Sequence, residues 1–246
     1  MMTTTTPITR AMILAAGLGT RFKPWTDQHP KAMALINGKS LLQRNIEWLR
    51  HYGVDDVVIN VHHFAGQILE ALQTNRGWGS RITISDETSA VLETGGGLKK
   101  ARPWLEDAPF VLLNVDILTD MDLGEMIRDH LEHRPLATLA VTDRTTSRYF
   151  LFDRQDHLCG WTNVQTGERR MARQPEGEPM PKAFSGIHII EPEIFPLIER
   201  EGKFSMVDLY LDLAAKHSIR GWDHSRSLFI DVGRPSSAEE AARLFP

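Results

Sequence analysis

The run Leu14-Ala15-Ala16-Gly17-Leu18-Gly19-Thr20-Arg21 is followed by Pro24, Thr26, Pro30 and Lys31. It has the form of a strand, a glycine-rich turn and then fixed cations. Glycines let a backbone approach a ligand closely, and successive N–H groups can cradle phosphate oxygens. Arg21 offers a planar fork and Lys31 a compact charge. Both suit the neutralisation of charge that builds during attack at phosphorus. The alternative is an ordinary β-turn with two surface cations. Two prolines and a lysine at defined spacing weigh against it. Phe22 stands where a dinucleotide fingerprint needs its third small residue, and no Walker P-loop occurs.

Asp116 and Asp231 each end an apolar run, Phe110 to Val115 and Leu228 to Ile230. Ligands of open α/β sheets gather at the carboxyl ends of strands. Two carboxylates there could hold Mg²⁺, which takes few protein oxygens and fills its shell with phosphates and water. Spacing alone equally allows each to cap a turn. In Leu92-Glu93-Thr94-Gly95-Gly96-Gly97, three glycines are expected to open a helical segment, Leu98 to Ala101. They would let the backbone approach something flat or anionic, and Thr94 could meet a base edge. A flexible hinge is the alternative.

Positioning these residues requires alternating elements. Ala11 to Ala16, Val57 to Val61, Ile82 to Ser85, Phe110 to Val115 and Ala137 to Val141 read as strands. Ser40 to Arg50, Ala65 to Leu72 and Leu123 to Leu131 read as helices, the first with a Ser40–Gln43 capping box. This order predicts βαβ units: an α/β, Rossmann-like, mixed and mostly parallel sheet with helices on both faces. Further on, Tyr149 to Phe152, Phe184 to Ile190 and Leu228 to Ile230 read as strands. Val207 to Lys216 and Ser236 to Leu244 read as helices, the latter capped by Ser236 or Ser237. Gly167 to Lys182 reads as a long excursion, and Glu199 to Lys203 as a solvated helix end. A single domain over 1–246 is expected. Its parts are a lead-in over about residues 1–8, a nucleotide-binding half over about 9–142 and a sugar-binding half over about 143–230.

The phosphate-site motif, Gly17-Leu18-Gly19-Thr20-Arg21-x-x-Pro24-x-Thr26 with Pro30-Lys31, resembles the signature of the sugar-1-phosphate nucleotidylyltransferases. The resemblance runs from Ala11 to about Ala242. It implies a nucleotide-diphospho-sugar transferase fold. Arg21 and Lys31 would be catalytic, and Leu14, Ala16, Gly17, Gly19, Thr20, Thr94 and Gly95 would contact the nucleotide. It also implies that Asp116 and Asp231 hold Mg²⁺. Asn114-Val115-Asp116 is similar to the family's Asn-Gly-Asp segment, with Val115 for glycine. On the sugar side it points to Gly186, and to Lys182 and Asn163, for which surface roles are as well supported. The family's Glu-Lys-Pro segment is absent near Asn163, and Phe150 replaces glycine in the common Arg-Tyr-Gly. The Glu93–Gly97 segment is most similar to N-acetylmuramate-1-phosphate uridylyltransferases, with related forms in mannose- and heptose-phosphate guanylyltransferases. UTP is therefore favoured over GTP.

Composition fits this reading. Net charge is −4, hydrophobic residues make up 41% and charged residues 24%. No broad basic surface for nucleic acid is expected. No apolar run approaches membrane-helix length, and no secretion signal is evident. With Cys159 as the single cysteine, a cytoplasmic setting is the simplest expectation. Partners would be a nucleoside triphosphate and a sugar-1-phosphate. The rival reading is a non-catalytic nucleotide-sugar-binding regulator, which has no need to keep Arg21, Lys31, Asp116 and Asp231 together.

Overall fold

The computed structural model describes residues 8–246. Most of the expected lead-in lies outside the described residues, and Ile8 is buried in the core. In chain order the elements are β1 (Arg10–Leu14), a hairpin of β2 (Leu35–Ile36) and β3 (Lys39–Ser40), α1 (Leu41–His51), β4 (Asp56–Val61), α2 (Ala65–Thr74) and β5 (Arg81–Asp86). Then come α3 (Glu93–Lys100), β6 (Phe110–Asn114), β7 (Ile117–Thr119), α4 (Leu123–His133) and β8 (Ala137–Thr142). The second half holds β9 (Arg148–Phe152), β10 (Leu158–Asn163), β11 (Glu168–Met171), β12 (Met180–Ile190), α5 (Met206–Leu213), β13 (Ile219–Asp223), β14 (Phe229–Asp231) and α6 (Pro235–Leu244).

The central sheet is mixed. β5, β4, β1 and β6 run parallel. β12 is antiparallel to both β6 and β8, so β8 and its parallel partner β13 point the same way as β6. Beyond β12 the sheet continues as an antiparallel arm, β9, β10 and β11. β12 carries a register shift between Phe184 and His188, where Gly186 has φ 74°.

The apolar runs in the strands alternate between two cores. Ala11, Ile13, Val57, Ile59, Val111 and Leu113 face α1, α2 and α4 through Leu42, Ile46, Ile68 and Met126. Met12, Leu14, Val58 and Leu112 face α3 and α5 through Leu98, Leu209 and Tyr210. This two-sided burial explains why the strands read as nearly continuous apolar runs.

Several expectations are corrected. The three glycines do not precede α3 but lie inside it. A Cβ on Gly95 would collide with the Phe204 ring, and one on Gly96 with the Gly202 carbonyl, so close packing explains them. The supposed excursion from Gly167 to Lys182 contains β11 and the start of β12. Residues 199–203 are a loop before α5 rather than a helix end. α6 begins at Pro235 with Arg234 as its cap, earlier than expected, because proline suits the first helical turn. Ser40 does cap α1, accepting from Gln43 N at 3.1 Å, but the Gln43 side chain turns to Glu47. β14 pairs with β7 and stands apart from the large sheet. Cys159 is buried, and burial followed by the Asp153 carboxylate pushes its thiol up to about 11.

Between β12 and α5, His188 Nδ1 meets the Tyr210 hydroxyl at 2.6 Å with both side chains buried. Burial pushes His188 down to about 3. The unfolded chain therefore binds a proton on His188 near pH 6.5 that the folded chain refuses. Stability from this group is complete above that pH and is lost as pH falls towards 3, by up to about 1.4 kcal/mol per unit. In His188→Gln, which keeps a polar partner for Tyr210, urea melts from pH 7 to 4 should show a stability slope shallower by about one proton. An unchanged slope would contradict a neutral buried His188.

Candidate active site

The turn after β1 is shaped by contacts within the chain. Gly19 sits at φ 61°, and its carbonyl accepts from Phe22 N at 2.8 Å and from Thr26 Oγ1 at 2.9 Å. A Cβ there would lie 2.8 Å from Thr26 Cγ2 and 3.2 Å from Lys31 Cβ. Gly19, Thr26 and Lys31 thus form one packed unit, which gives the spacing of the motif its physical reason. Gly17 differs: a Cβ there would meet nothing within 4 Å. Its backbone lies open on a cleft of about 530 Å³.

Leu14, Ala16, Gly17, Gly19, Thr20, Arg21, Lys31, Thr94 and Asp116 all line this cleft. Lys31, almost buried, pairs with Asp116. Asp231 lies beside them. Burial, and then the Asp116 carboxylate, push the Asp231 carboxyl above the usual range, while Lys31, Arg21 and Arg144 pull it back. Asp231 Oδ1 is buried with no hydrogen-bond partner among the described residues. Gly233 keeps the space between Asp231 and Arg21 open, since a Cβ there would lie 2.9 Å from Asp231 Oδ1 and 3.3 Å from Arg21 Nη2. Arg21 is exposed and makes no ion pair among the described residues.

Several expected residues are engaged within the fold, Thr94 among them although it lines the cleft. Thr94 Oγ1 accepts from Met206 N at 2.9 Å, joining α3 to the start of α5. Gly95 is buried against Phe204, whose carbonyl its N–H reaches at 2.9 Å. Gly186 packs behind Asn114, where a Cβ would lie 2.6 Å from Asn114 Nδ2. Lys182 does not line the cleft. It is held by Asp143, at 2.6 Å, and by Asp223, and these bonds raise its pKa despite burial. Asn163 caps a turn, its Oδ1 accepting from Gln165 N at 3.0 Å. Phe150, which stands where a sugar-facing glycine is common, is buried against Phe184 and Phe152.

Residues the motif reading passes over complete the cleft. Asn60 Oδ1 accepts from Ala15 N at 2.6 Å and from Ala16 N at 3.3 Å, while its Nδ2 donates to Glu87 Oε1 at 2.8 Å. Burial raises the Glu87 carboxyl, opposed by the Asn60 hydrogen bond. Asn60 had a signal: it is the one polar residue inside the run Val57 to Val61, and buried polar residues carry information. At the rim, Lys203 pairs with Glu93 at 3.2 Å. Outside the cleft lining, Arg144, between β8 and β9, donates from Nη2 to the Phe184 carbonyl at 2.8 Å and lies 4.9 Å over the Phe229 ring.

The nucleotidyl transferase family profile matches residues 10–243. The chain belongs to that family, among the sugar-1-phosphate nucleotidylyltransferases. It is 32% identical to the N-acetylmuramate alpha-1-phosphate uridylyltransferase of Caulobacter vibrioides, over 95% of this chain and 96% of that protein. It is 29% identical to the mannose-1-phosphate guanyltransferase of Yarrowia lipolytica, over 92% of this chain but 61% of that longer protein. HddC from Yersinia pseudotuberculosis, solved with GMP-PN, shares the fold at a TM-score of 0.77 and 24% identity, covering 97% of this chain and 100% of that one.

The two glycines should separate fold from ligand contact. Gly19→Ala adds a left-handed strain of about 1 to 2 kcal/mol and a clash with Thr26, so its Tm should fall. Gly17→Ala should leave Tm unchanged yet weaken nucleoside triphosphate binding. Calorimetric melts and binding titrations of both variants check this. Unaltered nucleotide affinity in Gly17→Ala would remove Gly17 from the binding surface.

Proposed function

We propose that the protein transfers the uridylyl group of UTP to a sugar-1-phosphate, with N-acetylmuramate-1-phosphate the first candidate acceptor. The observation that carries this reading is that Arg21, Lys31 and Asp116 line one cleft, with Asp231 close enough to feel the charge of all three. The choice of UTP rests on near full-length similarity to two N-acetylmuramate alpha-1-phosphate uridylyltransferases, at 32% and 28% identity. GTP with mannose-1-phosphate is second, supported by similarity to mannose-1-phosphate guanyltransferases. A cytoplasmic small-molecule enzyme with no nucleic-acid partner fits the net charge of −4 and the single cysteine. No helix among the described residues is long and apolar enough to cross a membrane.

In this reading residues 9–142 hold the nucleotide and residues 143–230 the acceptor. An oxygen of the sugar phosphate forms a bond to the α-phosphorus. The bond from that phosphorus to the bridging oxygen breaks, and pyrophosphate leaves with the electron pair. The attacking phosphate is already ionised at neutral pH, so no side chain need become a nucleophile. Lys31 and Arg21 neutralise the oxygens around the reacting phosphorus. Asp116 and Asp231 fit Mg²⁺: they are hard oxygen donors at one place, and Asp231 Oδ1 lacks any other partner among the described residues. Bound there, Mg²⁺ would act as a Lewis acid on phosphate oxygens.

A pyrophosphate-release screen of four triphosphates against a panel of sugar-1-phosphates tests the substrate assignment. UTP with N-acetylmuramate-1-phosphate should give the highest kcat/KM, and clear preference for GTP with mannose-1-phosphate would overturn the uridylyl assignment. In Lys31→Ala, kcat should fall about a hundredfold with a smaller change in KM for the triphosphate. A variant altered in KM alone would contradict a transition-state role. Asp231→Asn relieves the repulsion from Asp116. It should lose activity by orders of magnitude while melting no lower than the wild type, and near-normal turnover would remove Asp231 from the metal site.

A further inference from the structure

We infer that Arg144 receives the phosphate of the sugar-1-phosphate acceptor and holds it for attack. This rests on the nucleotidyl-transfer reading above. An acceptor phosphate carries about two negative charges near neutral pH. It must come to rest beside the triphosphate, whose own negative charge repels it. A cation on the acceptor side would offset that repulsion, in addition to Lys31 and Arg21 on the nucleotide side.

The side chain expected for this task is engaged elsewhere. Lys182 is held by both Asp143 and Asp223, a trio of net negative charge. Arg144 is differently placed. Its guanidinium is anchored between the Phe184 carbonyl, two residues before Gly186, and the ring of Phe229, two residues before Asp231. Gly186 in turn packs on Asn114, which lines the cleft. Arg144 makes no ion pair among the described residues, and its buried Nε has no partner among them. Arg144 does not itself line the cleft, but its place over the Phe229 ring sets it beside β14, the strand that ends at Asp231.

The segment carrying it is pinned at both ends. Asp143 N donates to Ser225 Oγ at 2.9 Å, and Thr146 N donates to the Tyr149 hydroxyl at 2.9 Å. A planar fork on a fixed segment, with donors unspent, suits a phosphate better than a flexible lysine does. Holding the acceptor in an attack geometry lowers the entropic cost of the step.

Steady-state kinetics on Arg144→Gln and Arg144→Lys test this, using the best substrate pair found for the wild type, with melting curves as a control for folding. KM for the sugar phosphate should rise tenfold or more in Arg144→Gln and less in Arg144→Lys, with KM for the triphosphate within twofold. Equal changes in both KM values, or none, would overturn the assignment. In parallel, glucose-1-phosphate is titrated calorimetrically into wild type and both variants. Binding by the wild type that is lost in Arg144→Gln supports the inference even where no turnover is found, which would sink the functional reading alone. Binding unchanged by the substitutions, or absent in the wild type, overturns it.

Discussion

Two carboxylates, Asp116 and Asp231, are held close enough that one raises the pKa of the other. Such a pair is unfavourable unless countercharge is built in around it. Lys31 and Arg21, from the segment after β1, and Arg144, from the segment after β8, supply that countercharge. Much of the surrounding structure serves to keep these five groups together. The arrangement resembles an electrostatic site left incompletely satisfied: Asp231 Oδ1 and Arg144 Nε are both buried without partners among the described residues. Unsatisfied buried polar atoms are costly.

The scaffold delivers the groups from neighbouring strands. β1 leads into the Gly19 turn, and β6, its parallel partner, leads to Asp116. β14 brings Asp231 up to β7 by direct pairing, Asp231 opposite Ile117. Two asparagines brace the strand ends. Asn60 holds the N–H groups of Ala15 and Ala16, and Asn45 on α1 donates to the Val115 carbonyl at 2.9 Å. Packing on both faces of the sheet fixes these ends, so the charges meet at little further entropic cost.

The first half was largely legible because its signals are local. Strand-length apolar runs, the Ser40 cap and the Gly19-Thr26-Lys31 spacing each report on neighbours close in sequence. The second half was less so. β10, β11 and β13 have mixed composition and are held by pairing with distant strands, Ile219 opposite Ala137 for example. Gly95 and Gly96 of α3 were misplaced because their reason lies more than a hundred residues away, at Phe204 and Gly202. Arg144 had no signal at all, since its surroundings are a carbonyl in β12 and a ring in β14. Lys182 appeared free in the sequence because the carboxylates that hold it, Asp143 and Asp223, are remote from it along the chain.

In the proposed reaction no side chain in the cleft needs to form a covalent nucleotidyl intermediate, and the charges around Asp116 and Asp231 suit one direct displacement at the α-phosphorus. The most direct measurement is the stereochemical course with a chiral α-thio analogue of the preferred triphosphate. A single displacement inverts the configuration at phosphorus, and inversion is the expected result. Retention would require two displacements through a protein-bound nucleotidyl group and would contradict direct transfer.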